Sequence, residues 1–197
     1  MTLAESLLLK ATNDSTIRTL AVAGGGSKEF AFNGSVTSAH ISNDTIAEIG
    51  STEESDPETV VHAKNMDVEA VDNSKIEALS GAFTGSKTTA VGGAISVSTI
   101  GNKVIARIGQ SRLTLGSSLV LKAQNDGIIH TLAAAAAGAQ STAVSGSLTE
   151  SNIFNTTEAE MVNTHLVGAD DGISIKADGS KIYALAGGAA RSTSAAI

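Results

Sequence analysis

The sequence predicts an all-β chain, a parallel β-solenoid built from repeats of about 53 residues and about two coils each. Three observations predict it. One motif returns in register along the chain, the apolar residues are mostly small or β-branched, and turn-forming residues punctuate short apolar segments.

The composition comes first because it narrows the class. The chain has 197 residues, enough to bury a sizeable core, but only 3% are aromatic and 17% charged, with 20 Gly, one Pro, no Trp and no Cys. The 42% of hydrophobic residues are therefore chiefly Ala, Val, Ile and Leu. Such side chains pack on a pleated surface without needing wide pockets, which favours stacked strands. A net charge of −7 argues against nucleic acid as a partner, since a phosphate backbone calls for a basic groove or stripe. Without cysteine there is no disulfide framework and no thiolate metal site. The segment Met1–Ala11 has Glu5 before its Leu7-Leu8-Leu9 run and no basic stretch, so it does not read as an export signal. The longest apolar run, Leu132 to Ala139, is too short for a membrane span.

The repeat decides the reading. A motif closing on leucine recurs at Thr16–Leu20, Lys75–Leu79, Ile128–Leu132 and Lys181–Leu185, with offsets of 59, 53 and 53 residues. Asn13, Asp72, Asn125 and Asp178 keep the same register and are all turn formers. Each is preceded by apolar residues two apart: Leu7 and Leu9, Met66 and Val68, Leu119 and Leu121, Ile173 and Ile175. A second block begins at Gly34, Gly93 and Gly146. It continues through Ile41-Ser42-Asn43, Ile100-Gly101-Asn102 and Ile153-Phe154-Asn155, then through Ala47, Ala106 and Ala159. These blocks divide a single continuous solenoid, 1–197, into repeats at approximately 6–58, 66–117, 118–171 and an incomplete 172–197. The first copy is six residues longer. Its surplus falls in Ser51–Glu58, where the only Pro sits among acidic residues, and it reads as a solvated surface loop, with a cation or receptor site as the sharper alternative.

Gly24-Gly25-Gly26 and the Ser- and Thr-rich stretches would be poor helix interiors. The five alanines of Ala133–Ala137 favour helix in isolation. Register sets them against Ala21–Gly25 and Ser80–Thr84, neither of them helical, so a strand is expected there too. Strands of five or six residues joined by tight turns would make coils of roughly 20 to 27 residues. Two such coils would fill a repeat, and at about 4.8 Å per coil the chain would form a rod on the order of 35 Å long. Stacking would place Asn43, Asn102 and Asn155 in a ladder hydrogen-bonded along the axis. The fourth copy stops inside a repeat, and no polar cap is evident at the start. The chain therefore reads as an excerpt of a longer array, with adjacent repeats of the same protein as its neighbours.

At Lys10–Ser15, Leu20–Gly25, Ile41–Thr45 and Ala47–Gly50 the sequence resembles the passenger repeats of large filamentous surface adhesins of Gram-negative bacteria. The likeness covers nearly the whole chain and is specific as a style of repeat. It implies a right-handed parallel β-helix, type V export by an autotransporter or two-partner route, and display outside the cell or at the outer membrane. The implied role is a stalk or adhesive segment that attaches to host cells, matrix or other bacteria, with a surface receptor or glycan as partner and no cofactor.

The rival class is a carbohydrate-active β-helix enzyme, a polysaccharide hydrolase or lyase. Asp170-Asp171-Gly172 resembles the paired aspartates of solenoid glycosidases, in which one carboxylate protonates the leaving oxygen and another activates water. Those families also carry Gly-His-Gly and Arg-Ile-Lys, and neither occurs here. Register sets Asp170-Asp171 at the turn held by Ser117-Ser118 one copy earlier, so a turn is the simpler account. His40, His62, His130 and His165 share no metal-ligand spacing. A regular Thr or Ser face of the ice-binding kind would need a strict Thr-x-Thr ladder, and the copies vary too much for one. Sequons at Asn13, Asn33, Asn43 and Asn155 fit the abundance of Ser and Thr. The expectation is a non-enzyme with no catalytic, cofactor-binding or metal residue.

Overall fold

Alternation of inward and outward residues at a period of two runs through almost every segment, and each segment is a strand. The computed structural model describes residues 4–53, 56–192 and 195–196. Among these there is no helix, and every strand pairing is parallel. One circuit of the chain begins with β1 (Ala4–Asn13), β2 (Thr16–Ser27), β3 (Phe30–Ile41) and β4 (Asp44–Ile49). The next adds β5 (Thr59–Asp72), β6 (Lys75–Ser86) and β7 (Thr89–Ile100), then β8 (Lys103–Asn125), β9 (Ile128–Gly138) and β10 (Thr142–Ile153). The last comprises β11 (Thr156–Gly168), β12 (Gly172–Asp178), β13 (Lys181–Arg191) and β14 (Ala195–Ala196).

Three sheets collect one strand from each circuit. The second holds β2-β6-β9-β13 and the third β3-β7-β10-β14, while β1, β4, β5, β8, β11 and β12 form the first. Ile17 pairs with Ile76, Ile76 with Ile129, and Ile129 with Ile182. Since Ile76 meets Ile129, one repeat on, with no strand between them, a repeat is one coil. The expected two coils per repeat do not form, and four coils at about 4.8 Å make a stack of roughly 19 Å rather than 35 Å. The physical reason lies in the strands, which run mostly 10 to 14 residues, and 23 in β8.

Long strands are possible because of what lies behind them. The second and third sheets pack face to face through Ala82, Ala94, Ala133 and Ala135, and through Ala90, Ala137 and Ala143. Hydroxyls share this thin layer: Ser35 and Ser80 hydrogen-bond at 2.7 Å, as do Thr131 and Ser151 at 2.9 Å. Small side chains there let the two sheets approach closely. The five-alanine run is a strand, with Ala133, Ala135 and Ala137 buried; cross-strand pairing on both sides overrides helix propensity.

The first sheet instead curls around the large aliphatic residues. Met66, Val68, Ile108, Leu113, Leu119 and Leu121 are all fully buried in one cluster. Its bends use left-handed backbone. Gln110 (φ 39°) and Asn163 (φ 49°) sit at one corner in neighbouring coils, beside Gly50 (φ 75°) in the first. A Cβ on Gly50 would stand 1.9 Å from the Gly109 carbonyl oxygen, so only glycine fits there. The acidic Pro-containing insertion interrupts this sheet between β4 and β5, where β8 of the next coil runs through. Its described residues are a loop, with Asp56 N–H donating to Glu53 O and Glu58 accepting from Arg112 Nε at 3.3 Å; residues 54 and 55 lie outside the described residues.

Candidate functional site

Two-residue turns join the first sheet to the second and the third to the first, and both bring polar side chains to the waist of each coil. The first is Asp14-Ser15 and its equivalents, the second Ser42-Asn43 and its equivalents. Asp72, Ser74, Asn102 and Asn125 are buried there. The Asp72 carboxylate accepts from Asn13 Nδ2 at 2.6 Å, from Asn102 Nδ2 at 2.7 Å and from the Ser74 N–H at 3.1 Å. A buried carboxylate needs this number of donors to offset lost hydration. The expected asparagine ladder is present: Asn43 N–H donates to Asn102 Oδ1 at 3.0 Å, and Asn102 N–H to Asn155 Oδ1 at 2.8 Å. These side-chain bonds tie each coil to the next at this turn, beside backbone bonds such as Gly101 N–H to Ile41 O and Lys103 N–H to Asn43 O.

Charged ladders run up the outside. Glu48, Arg107 and Glu160 share one column, with Arg107 Nε 2.5 Å from Glu160 and its Nη1 3.9 Å from Glu48. Lys10 and Glu69 pair at 3.1 Å, followed by Lys122 and Lys176 in the same column. Arg18 meets Glu77 at 2.6 Å, and Lys75 also contacts Glu77. The hydrogen bond from Lys75, then that from Arg18, holds the Glu77 carboxyl below its ordinary range. Exposed pairs contribute little energy, but opposite charges in one column favour one register over its neighbours.

Asp170 and Asp171 are exposed in the turn before β12. The Asp171 N–H donates to Ser117 O at 2.8 Å, the Ser117 hydroxyl donates to the Asp171 carboxylate, and Gly172 follows with φ 115°. Asp171 thus stands opposite Ser117 and Gly172 opposite Ser118, one place from the expected register. The four histidines lie in four strands, β3, β5, β9 and β11. Their columns carry other residues in neighbouring coils: His40 pairs with Thr99 and His130 with Glu77. No group of three or more His, Asp or Glu side chains able to hold a metal occurs among the described residues.

An open groove of about 800 Å³ runs along the outside of the second sheet. One wall is the column Arg18, Glu77, His130 and Tyr183, the last two ring edge to ring face at 5.2 Å. The other is the column of motif-closing leucines, Leu20, Leu79, Leu132 and Leu185, all exposed. Sequence reasoning marks these leucines as motif-closing but does not place them on the outer face. The signal was their spacing of three from the inward-facing isoleucines Ile17, Ile76, Ile129 and Ile182, since an odd spacing on a strand puts two residues on opposite faces.

Comparisons with protein-family models, with curated proteins and with solved structures find no match to this chain. The functional reading therefore rests on the chain's own geometry.

Proposed function

We propose that this chain is a structural stalk and adhesive segment of an extracellular bacterial adhesin, presented at the cell surface for attachment to host cells, matrix or other bacteria. In this reading it is a right-handed parallel β-helix with a 53-residue coil, and its first partners are neighbouring coils of the same longer chain. Right-handedness follows the strong preference of parallel crossover connections. The observation that carries the reading is where the polar and charged side chains go. Asn43, Asn102 and Asn155, Asp72 with Asn13, and Arg107 with Glu160 are spent on the coil above or below. A chain built this way gains length one coil at a time, as a spacer does.

The test uses beads carrying the folded chain, presented to epithelial cells, matrix-coated surfaces and bacteria. Attachment above that of beads carrying an unrelated β-protein is expected, and Asp170→Asn with Asp171→Asn should leave it unchanged. Release of sugar from a panel of polysaccharides by the wild-type chain, lost in that double variant, would establish the enzyme reading instead.

A further inference from the structure

We propose that the outer face of the second sheet is a self-association surface, on which a second copy of this chain packs face to face about a two-fold axis lying along the strands. This goes beyond the stalk reading and does not depend on it. The face carries a ladder of leucines with exposures of 69, 41, 38 and 65% in Leu20, Leu79, Leu132 and Leu185. Beyond it stand Val22 (61%) and Phe83 (57%). An unbroken apolar ladder of this kind on a soluble surface calls for a cover.

Symmetry selects the cover. A two-fold along the strands lays each column of side chains on itself with the coil order reversed, so the first coil faces the fourth and the second faces the third. Leu20 then meets Leu185, and Leu79 meets Leu132. In the next column Arg18 lies over the Tyr183 ring, a cation–π arrangement, and Glu77 lies beside His130, which can donate to it. On the other side of the ladder, large residues fall on small ones. Val22 faces Gly187, and Phe83 faces Ala136. The two columns thus match in charge and in size along their length.

The alternative two-fold, along the solenoid axis, keeps coil order and mirrors the columns. Centred on the leucines, it presses Arg18 and Glu77 onto Val22 and Gly81, which strips both charges of water without giving them new partners. Area supports the chosen pairing as well. Four strands at ~4.8 Å, by 11 residues of β13 at ~3.3 Å, give roughly 700 Å² per copy, near the ~800 Å² that each partner brings to a stable interface.

Sedimentation equilibrium of the wild-type chain tests association, and a concentration-dependent dimer is expected. Leu79→Lys with Leu132→Lys, both at outward positions, should weaken it at least tenfold while leaving the circular dichroism spectrum unchanged. The chain has no cysteine, so single cysteines report the geometry. Facing sheets lie about 10 Å apart, too far for a disulfide, and a short bismaleimide is used instead. A mixture of Leu20→Cys and Leu185→Cys chains should cross-link, whereas Leu20→Cys alone should not. A wild-type chain that stays monomeric to its highest soluble concentration would overturn the proposal. Self-cross-linking of Leu20→Cys would overturn it equally, and so would a monomer that binds phosphatidylcholine vesicles through this face.

Discussion

Replacing Ile76 by alanine is the most direct probe of how the coils hold together. Ile76 is fully buried, lies between Ile17 and Ile129 in the pairing register, and belongs to a cluster with Ala39, Ile41, Ala78 and Ile100. The substitution deletes three carbons. At about 0.8 kcal/mol each the transfer term is roughly 2.4 kcal/mol. The backbone on both sides is held by pairing to neighbouring coils, so the space cannot collapse, and a cavity term brings the expected loss to about 3 to 4 kcal/mol. Ile182 occupies the same column at the last described coil and is 46% exposed. There about half the transfer term applies and no closed cavity forms, so Ile182→Ala should cost about 1 kcal/mol. Equilibrium urea unfolding of the two variants, followed by circular dichroism, gives both values. Equal losses, or a larger loss at Ile182, would refute the stacking argument, because in a solenoid the difference follows from the number of neighbouring coils alone.

Two other outcomes follow from the polar ladders. Asn102→Ala removes the acceptor for Asn43 N–H and a donor to the buried Asp72 carboxylate, and should cost about 2 to 4 kcal/mol in the same urea experiment. Asn152→Ala, at a half-buried position whose side-chain amide bonds the exposed Glu150 carboxylate, should stay within about 0.5 kcal/mol. The Glu77 carboxyl is held below its ordinary value of 4.5, so its contribution is fully present above that pH and fades as pH falls through the lowered value. Thermal melts of the wild-type chain and Glu77→Gln should therefore differ slightly at neutral pH and converge in acid, and a gap that widens in acid would show the sign to be wrong.

Much of the fold was legible in the sequence, and the reason is redundancy. Asn13, Asp72, Asn125 and Asp178, or Ile17 through Ile182, recur at fixed offsets, so each column announces itself several times. The turn asparagines, the strand at Ala133–Ala137 and the looped insertion could all be placed because a neighbouring copy constrained them. No catalytic or metal residue was expected from the sequence. At the one motif that invited such a reading, Asp170-Asp171, the repeat pointed to the turn that the structure contains, displaced by one residue.

What only the tertiary structure decided is how far the chain travels before it meets itself. A period of 53 residues says that equivalent residues stack and leaves open whether one circuit or two separates them. That depends on strand length, which packing decides: strands of about a dozen residues in the second and third sheets close over alanine, serine and an isoleucine cluster, while β8 continues for 23 residues around the large aliphatic core of the first sheet. The exposure of the leucine ladder was decided the same way. Apolar character marks Leu79 and Ile76 alike, and only the packing of a partner sheet determines which face is the inside.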